Sequence, residues 1–268
     1  MQNCKPTAPW PYPRWIAHRG AGKLAPENTL AAFRLGAQHG YRMFECDVKL
    51  SQDDIPFLLH DDTLNRTTNA SALWNNHAER QAGDYPWHQL SALDAGSWHS
   101  SIYNAEPLAN LEQVMRWSLK NACCLNLEIK PCNGVAEKTG TVVAQYAAQL
   151  WHNHRSSAIP APLLSSFQPD ALWGALRAEP QLPRALLLDE LPHGWLQIAL
   201  QLQCVAVVLH FSLISADIAL HIRQAGLRLL SYTVNSDEVA VELLALSIDG
   251  IITDRVDYFV PDNFDAKS

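Results

Sequence analysis

Residues 42–50 organise the prediction of the fold and read Arg42-Met43-Phe44-Glu45-Cys46-Asp47-Val48-Lys49-Leu50. Apolar and charged side chains alternate along this stretch, and a period of two predicts a β-strand. Residues two apart share a face of a strand, so Glu45 and Asp47 project side by side while the apolar residues, Cys46 among them, pack behind. Repulsion between neighbouring carboxylates raises a pKa unless a cation offsets it, and such an oxygen-rich pair suits Mg²⁺ or Ca²⁺. The alternative is a solvated strand face with ordinary surface charge.

Strand and helix patterns alternate along the rest of the chain. Further strands are predicted at 14–20, 55–59, 125–131, 162–167, 184–188, 205–210, 227–235 and 248–254, with helical segments between most of them. About eight strand–helix repeats predict an α/β fold, a closed (β/α)₈ TIM barrel, with a doubly wound open sheet as the alternative. The sequence has no G-x-G-x-x-G motif after the first strand and no G-x-x-x-x-G-K-[ST] motif. Both motifs are typical of nucleotide-binding open sheets, so their absence argues against the open sheet.

The domain organisation follows from where this periodicity begins and is interrupted. We predict an extended lead-in over residues 1–13, one barrel domain over residues 14–262 and a short tail over residues 263–268. Between about residues 60 and 107 the periodicity is lost, which predicts a small insertion after the second strand. The tryptophans of this insertion form either its own core or a rim for substrate; they are Trp74, Trp87 and Trp98.

Composition and charge limit the possible partners. The chain has 268 residues and a formal net charge of −7, which argues against broad electrostatic binding to nucleic acid or to an anionic membrane surface. The N-terminus lacks an apolar core of secretory length, and no later segment has the length and apolarity to span a bilayer. Six cysteines without C-x-x-C spacing are interpreted as reduced thiols. We therefore expect a cytoplasmic protein with no membrane insertion, and its oligomeric state is left open.

Polar residues gather at one end of the predicted barrel, because strand carboxyl ends meet at a single mouth. They are His18, Glu45, Asp47, Glu128, Lys130, Ser165, Tyr232 and Asp254. A structural barrel prefers apolar or small side chains at many of these inward positions. Carboxylates beside histidines, an arginine and a lysine suggest a metal-assisted reaction on an anion.

Five short motifs follow one another along the chain. They are His18-Arg19-Gly20, Pro26-Glu27-Asn28-Thr29, Glu45-Cys46-Asp47-Val48, His60-Asp61 with Arg66-Thr67-Thr68, and Glu128-Ile129-Lys130. In this order they resemble the glycerophosphodiester phosphodiesterase family, and the resemblance covers nearly the whole chain. The family commonly has Trp where this chain has Tyr232 and Pro where it has Val256, and the first departure bears on the pocket for glycerol or alcohol.

The resemblance implies a metal-dependent barrel enzyme that cleaves small glycerophosphodiesters to glycerol 3-phosphate and an alcohol. By motif position it implies that Mg²⁺ or Ca²⁺ binds to Glu45, Asp47 and Glu128. It implies a general acid–base pair, His18 and His60, and phosphate-binding cations, Arg19 and Lys130. Tyr232 is assigned to the substrate pocket, with barrel core as the alternative. Glu27 stands at a helix start and is interpreted as a cap or brace outside the site.

Two alternatives to this function are a barrel that binds glycerophosphodiesters without turnover and a lysophospholipase-D-like enzyme. No candidate catalytic position has been lost, which argues against the first, and the lack of a membrane segment argues against the second. The resemblance also leaves the nucleophile open between water and the middle hydroxyl of glycerol. We favour the hydroxyl, because intramolecular attack gains a large effective concentration.

Overall fold

The computed structural model describes residues 9–74, 80–153, 159–259 and 261. The strands in these ranges are β1 (Trp15–Ala17), β2 (Met43–Leu50), β3 (Pro56–Leu58), β4 (Cys124–Ile129), β5 (Leu163–Ser166), β6 (Arg184–Leu188), β7 (Ala206–His210), β8 (Arg228–Tyr232) and β9 (Gly250–Thr253). The α-helices are α1 (Leu30–Gln38), α2 (Ala70–Trp74), α3 (Trp87–Leu90), α4 (Leu111–Lys120), α5 (Ala136–His152), α6 (Pro169–Ala178), α7 (Trp195–Gln201), α8 (Ala216–Gln224) and α9 (Asp237–Ala245). None of the helices in these ranges is both long and apolar enough to cross a membrane.

Eight of these strands form a closed parallel barrel. The order is β1-β2-β4-β5-β6-β7-β8-β9, and β9 returns to pair with β1. Ala17 lies beside Phe44 at one side of β1, and Trp15 lies beside Ile251 at the other. The short β3 runs antiparallel to β2. The predicted (β/α)₈ barrel is confirmed, and the open sheet is wrong because β9 pairs with β1.

Two apolar layers hold the barrel together. The outer layer lies between strands and helices and includes Phe44, Cys46 and Val48, so the apolar side of β2 faces away from the carboxylates, as predicted. The inner layer fills the barrel axis with residues such as Met43 and Leu230. Tyr12 of the segment before β1 belongs to this inner layer, and its hydroxyl donates a hydrogen bond to the carbonyl of Ala161, 2.7 Å away. The barrel is therefore packed with side chains beneath its mouth.

The segment between β3 and α4 has a small core of its own. Buried Leu64 and Leu90 belong to this cluster, and Trp74 and Trp87 pack against it. Trp98 is 39% exposed, its indole N–H donates to the carbonyl of Ala95, and the guanidinium of Arg66 lies 6.0 Å from its ring centre. Residues 75–79 of the predicted insertion lie outside the described residues.

Helices α5 and α6 cross at two glycines. A Cβ atom added at Gly140 would lie 1.8 Å from the carbonyl oxygen of Ala171, and one added at Gly174 would lie 2.1 Å from that of Glu137. Each helix backbone therefore occupies the space that a side chain would take on the other. This contact depends on the absence of a Cβ, because carbonyl oxygens cannot yield as a flexible side chain can.

The substitution Gly140→Ala is expected to lower the free energy of unfolding by about 2 kcal/mol, because the methyl group must push α5 away from α6. Alanine favours a helix over glycine by about 1 kcal/mol, so propensity alone predicts the opposite sign. Urea denaturation measures the change, and Gln145→Ala at an exposed position of α5 is the control. A Gly140→Ala protein as stable as the parent would contradict this packing.

Candidate active site

The mouth of the barrel contains a cavity of about 320 Å³. Seven of the eight predicted site residues line it; they are His18, Arg19, Glu45, His60, Glu128, Lys130 and Tyr232. Asp47 is buried beneath this lining, with Arg19 and Lys130 beside it. The structure thus brings the eight residues together from strands and loops that are far apart in sequence.

Three buried carboxylates form the centre of this group. Glu45, Asp47 and Glu128 each offer an oxygen within 4.8 Å of the others, and these residues are only 2, 1 and 9% exposed. The inward faces of β2 and β4 create this arrangement, because Asp47 and Glu128 are register partners. Glu45 Oε1 is buried without a hydrogen-bond partner among the described residues. Three converging carboxylates, one with an unused oxygen, fit a hard divalent cation.

The three carboxyl groups differ in the direction in which their pKa values are shifted. Burial and the charges of Asp47 and Glu128 raise the pKa of Glu45 well above its usual value. Burial and Asp47 also raise the pKa of Glu128, to about 7. Burial acts in the same direction on Asp47, but Arg19 and Lys130 outweigh it and lower the pKa of Asp47 to about 2. Without a bound cation, the cluster therefore keeps protons that a divalent metal would displace.

Two cations stand beside the carboxylates. The Arg19 side chain donates to Glu27 Oε1 at 2.9 Å, and its Nε lies 3.3 Å from Asp47 Oδ2. The Arg19 backbone has a φ of 50°, and its N–H donates to Glu45 Oε2 at 3.1 Å. Lys130 Nζ lies 3.2 Å from Glu128 and 3.5 Å from Asp47. Both side chains also line the cavity, where they can meet an anion.

His18 is oriented by a carboxylate from the last strand. Its Nδ1 lies 2.6 Å from Asp254 Oδ1, and Asn235 donates to the other Asp254 oxygen at 3.0 Å. His18 Nε2 points the other way and lies 3.7 Å from Glu45 Oε2. The sequence marked Asp254 as a mouth residue without a role. Its role as the partner of His18 was missed because the two residues are 236 positions apart.

His60 is oriented by a neighbouring carboxylate and a longer chain of ion pairs. Its Nδ1 lies 2.8 Å from Asp61, and Arg66 binds both Asp61 oxygens at 2.7 and 2.8 Å. Arg66 also donates to both oxygens of Glu27, which in turn accepts from Arg19. The hydrogen bond from Arg66 lowers the pKa of Asp61, and burial lowers the pKa of His60. In both histidines a carboxylate therefore occupies Nδ1, and Nε2 remains available to a molecule in the cavity.

Of the two roles predicted for Glu27, a cap or a brace, the helix cap is wrong. Thr29 is the N-cap of α1 and accepts from the Ala32 N–H, while Glu27 connects the two arginines of the site. Neighbouring Asn28 also supports the site: its amide donates to Asp47 Oδ2 at 2.8 Å. Both residues stand in the Pro26-Glu27-Asn28-Thr29 motif, which was the available signal.

Tyr232 stands on the opposite wall of the cavity. Its ring centre lies 5.7 Å from those of Phe167 and His210, with both pairs nearly perpendicular, and its hydroxyl donates to the carbonyl of Leu188. Below this wall, Asn126 lines the cavity with neither amide atom hydrogen-bonded to a described residue. The predicted placement of Tyr232 at the pocket agrees with these contacts, while its contact with substrate stays a prediction.

Comparison with known proteins gives consistent matches over nearly the whole chain. Residues 18–258 match the Glycerophosphoryl diester phosphodiesterase family. The chain is 30% identical to the protein YhdW of Bacillus subtilis over 253 residues, which are 92% of this chain and 96% of YhdW. It is 28% identical to a glycerophosphodiester phosphodiesterase of Caldanaerobacter subterraneus, covering 89% and 93% of the two chains. An Oleispira antarctica phosphodiesterase, solved in complex with the product sn-glycerol-3-phosphate, superposes with a TM-score of 0.82 at 31% identity, covering 96% and 97%.

Proposed function

This chain belongs to the glycerophosphoryl diester phosphodiesterase family, and from that premise we propose that it hydrolyses glycerophosphodiesters to glycerol 3-phosphate and an alcohol. The supporting observation is one cavity in which three buried carboxylates, two cations and two carboxylate-anchored histidines converge. A phosphodiester carries a negative charge that grows on its non-bridging oxygens during attack. The cavity has the groups to bind that charge and to move the protons that hydrolysis requires.

Glu45, Asp47 and Glu128 would hold Mg²⁺ or Ca²⁺. A divalent cation supplies Lewis-acid stabilisation of negative charge on phosphate oxygens. Arg19 and Lys130 lie beside the same carboxylates and bind the phosphate from the cavity side. Their donors also lower the energy of the transition state, since the charge they face increases during the reaction.

The two histidines divide the proton transfers. Asp254 and Asp61 occupy Nδ1 of His18 and His60, so each ring is fixed in orientation with Nε2 toward the cavity. One histidine takes a proton from the attacking oxygen, and the other gives a proton to the oxygen of the leaving alcohol. The pKa of His60, lowered by burial, keeps this ring neutral near neutral pH and suits it to accept a proton.

The direct test is release of glycerol 3-phosphate from glycerophosphocholine by the purified protein. We expect EDTA to reduce the rate at least tenfold and Mg²⁺ or Ca²⁺ to restore it, because loss of the cation removes the Lewis acid that stabilises the charge growing on the phosphate oxygens. Full activity in EDTA would contradict the metal requirement. Substrate binding without product under every metal would favour the non-catalytic barrel, and a preference for long-chain lysolipids would favour the lysophospholipase-D-like reaction.

The metal-free protein is expected to lose about 2 kcal/mol of stability between pH 4.5 and 7 through Glu128. In this interval the unfolded chain releases the proton of Glu128 while the folded chain keeps it, so the free energy of unfolding falls as pH rises and levels off above about 7. A bound cation should remove this fall by stabilising the ionised form. Melting temperatures with EDTA and with Mg²⁺ measure the effect. Glu128→Gln should reduce it and leave the part that the raised pKa of Glu45 contributes. A fall of the same size in that variant would mean that Glu128 does not contribute.

A further inference from the structure

One wall of the active-site cavity differs from the rest in its chemistry. Three rings stand on it, from Phe167 after β5, His210 at the end of β7 and Tyr232 at the end of β8. Tyr232 lies at the centre, in nearly perpendicular contact with the other two. Leu187 adds an apolar side chain to the lining. The wall therefore presents aromatic surface where the opposite side presents carboxylates and cations.

Asp189 adds a negative charge to this aromatic wall. Its side chain lines the cavity, and its charge contributes to raising the pKa of Tyr232 after the effect of burial. Among the described parts of the chain, Asp189 has neither an ion pair nor a hydrogen bond through its carboxylate. The other carboxylates around the mouth, such as Asp61 and Asp254, are held by arginine, histidine or asparagine. Asp189 is thus available to a cation from solution.

A phosphate bound at Lys130 would fix which part of a substrate can reach this wall. Lys130 Nζ stands between the two regions, 3.2 Å from Glu128 and 6.0 Å from the ring centre of Phe167. A phosphate held by Lys130 therefore has the aromatic wall on one side. Beneath it lies a polar floor, where the Asn126 amide and the Ser165 hydroxyl are buried without hydrogen-bond partners among the described residues.

The glycerol arm and the alcohol arm of a glycerophosphodiester differ in how well they fit the polar floor and the aromatic wall. Glycerol carries hydroxyl groups, which can donate to and accept from an unpaired amide and so satisfy buried polar atoms. The aromatic wall offers few such partners. A methylated ammonium group, by contrast, is attracted both to the faces of aromatic rings and to a carboxylate.

We infer that Phe167, His210, Tyr232 and Asp189 form the subsite for the alcohol arm and that they select alcohols bearing an ammonium group over neutral alcohols of the same shape. This inference rests on the proposed hydrolysis and adds a preference within it. The attraction of rings and carboxylate for the cation acts on binding, so the preference is expected mainly in KM.

The test compares glycerophosphocholine with its uncharged isostere, in which a carbon atom replaces the nitrogen. We expect kcat/KM for glycerophosphocholine to be at least tenfold higher at low ionic strength, with the ratio falling as salt is added. Asp189→Asn should reduce the ratio, whereas Glu190→Gln, an exposed neighbour outside the cavity lining, should leave it unchanged. Tyr232→Leu should also reduce the ratio, whereas Tyr232→Phe, which keeps the ring, should have the ratio of the parent protein.

The outcomes separate this inference from the proposed function. Hydrolysis of both compounds with a ratio near one in the parent protein would overturn the inference and leave the proposed function standing. An unchanged ratio in Asp189→Asn would also overturn it. If neither compound is hydrolysed, the proposed function fails, and dissociation constants from calorimetry still test the preference: equal affinities for the two compounds would reject it.

Discussion

Replacing His18 by alanine is expected to lower kcat/KM for glycerophosphocholine about 10³-fold, the middle of the range for loss of a general acid or base. The reason is geometric. Asp254 holds Nδ1 of His18 at 2.6 Å, so the imidazole is fixed with its other nitrogen toward the cavity, near Glu45. Without the ring, Arg19 and Lys130 still bind phosphate, so the loss should appear mostly in kcat.

The control for this prediction is His88→Ala, which removes an exposed histidine of α3 that does not line the cavity. Its activity and melting temperature should equal those of the parent. Free imidazole should restore part of the activity of His18→Ala, because the substitution leaves space for it in the cavity. If His18→Ala retained activity within tenfold of the parent, or lost it only through unfolding, His18 would not transfer a proton in the reaction.

A substrate without the middle hydroxyl of glycerol is expected to bind but to show almost no turnover. In the route we favour, one histidine takes the proton of this hydroxyl, whose oxygen then bonds to phosphorus. The bond from phosphorus to the alcohol oxygen breaks, and the other histidine protonates that oxygen. A cyclic phosphate results, and water opens it to glycerol 3-phosphate. Effective concentrations of about 10⁵ M or more for well-oriented intramolecular attack are the reason we expect this route rather than direct attack by water.

The measurement uses the 2-deoxyglycerol analogue of glycerophosphocholine at saturating concentration with Mg²⁺ or Ca²⁺. Competition against the natural substrate confirms that the analogue binds, and phosphorus NMR during natural turnover should detect the cyclic phosphate. The matched control is an analogue that lacks only the terminal hydroxyl, which should still be hydrolysed. If the 2-deoxy compound were cleaved at a rate near that of the natural substrate, water would be the nucleophile.

The sequence predicted the barrel because each strand carries its own pattern. In β2 the alternation of Glu45 and Asp47 with apolar residues gave both the strand and the direction of the carboxylates, and the structure has the same arrangement. The closure of β9 onto β1 followed from the number of repeats. Predictions from local patterns of this kind agree with the structure because the patterns reflect burial of one strand face.

The supporting contacts of the site were not predictable in the same way. Asp254 meets His18 only because the barrel closes, and Arg66 meets Glu27 across 39 residues only because the segment after β3 returns to the mouth. No local pattern carries that information. For this reason Glu27 was interpreted as a cap or brace outside the site. The aromatic wall could not be predicted either: Tyr232 was identified in the sequence, but its neighbours come from the end of β7 and from the residue after β5.

The packed interior beneath the carboxylates limits the route by which products can depart. Tyr12 and the inner apolar layer fill the barrel below the site, so substrate arrives and both products leave through the same mouth. In our assignment the alcohol arm lies against the aromatic wall, whereas glycerol 3-phosphate is held by the cations and the polar floor. We therefore expect the phosphorylated product to leave last and to compete with incoming substrate. Flux through such an enzyme depends on how quickly a downstream reaction consumes glycerol 3-phosphate, which ties phosphodiester breakdown to demand for its product.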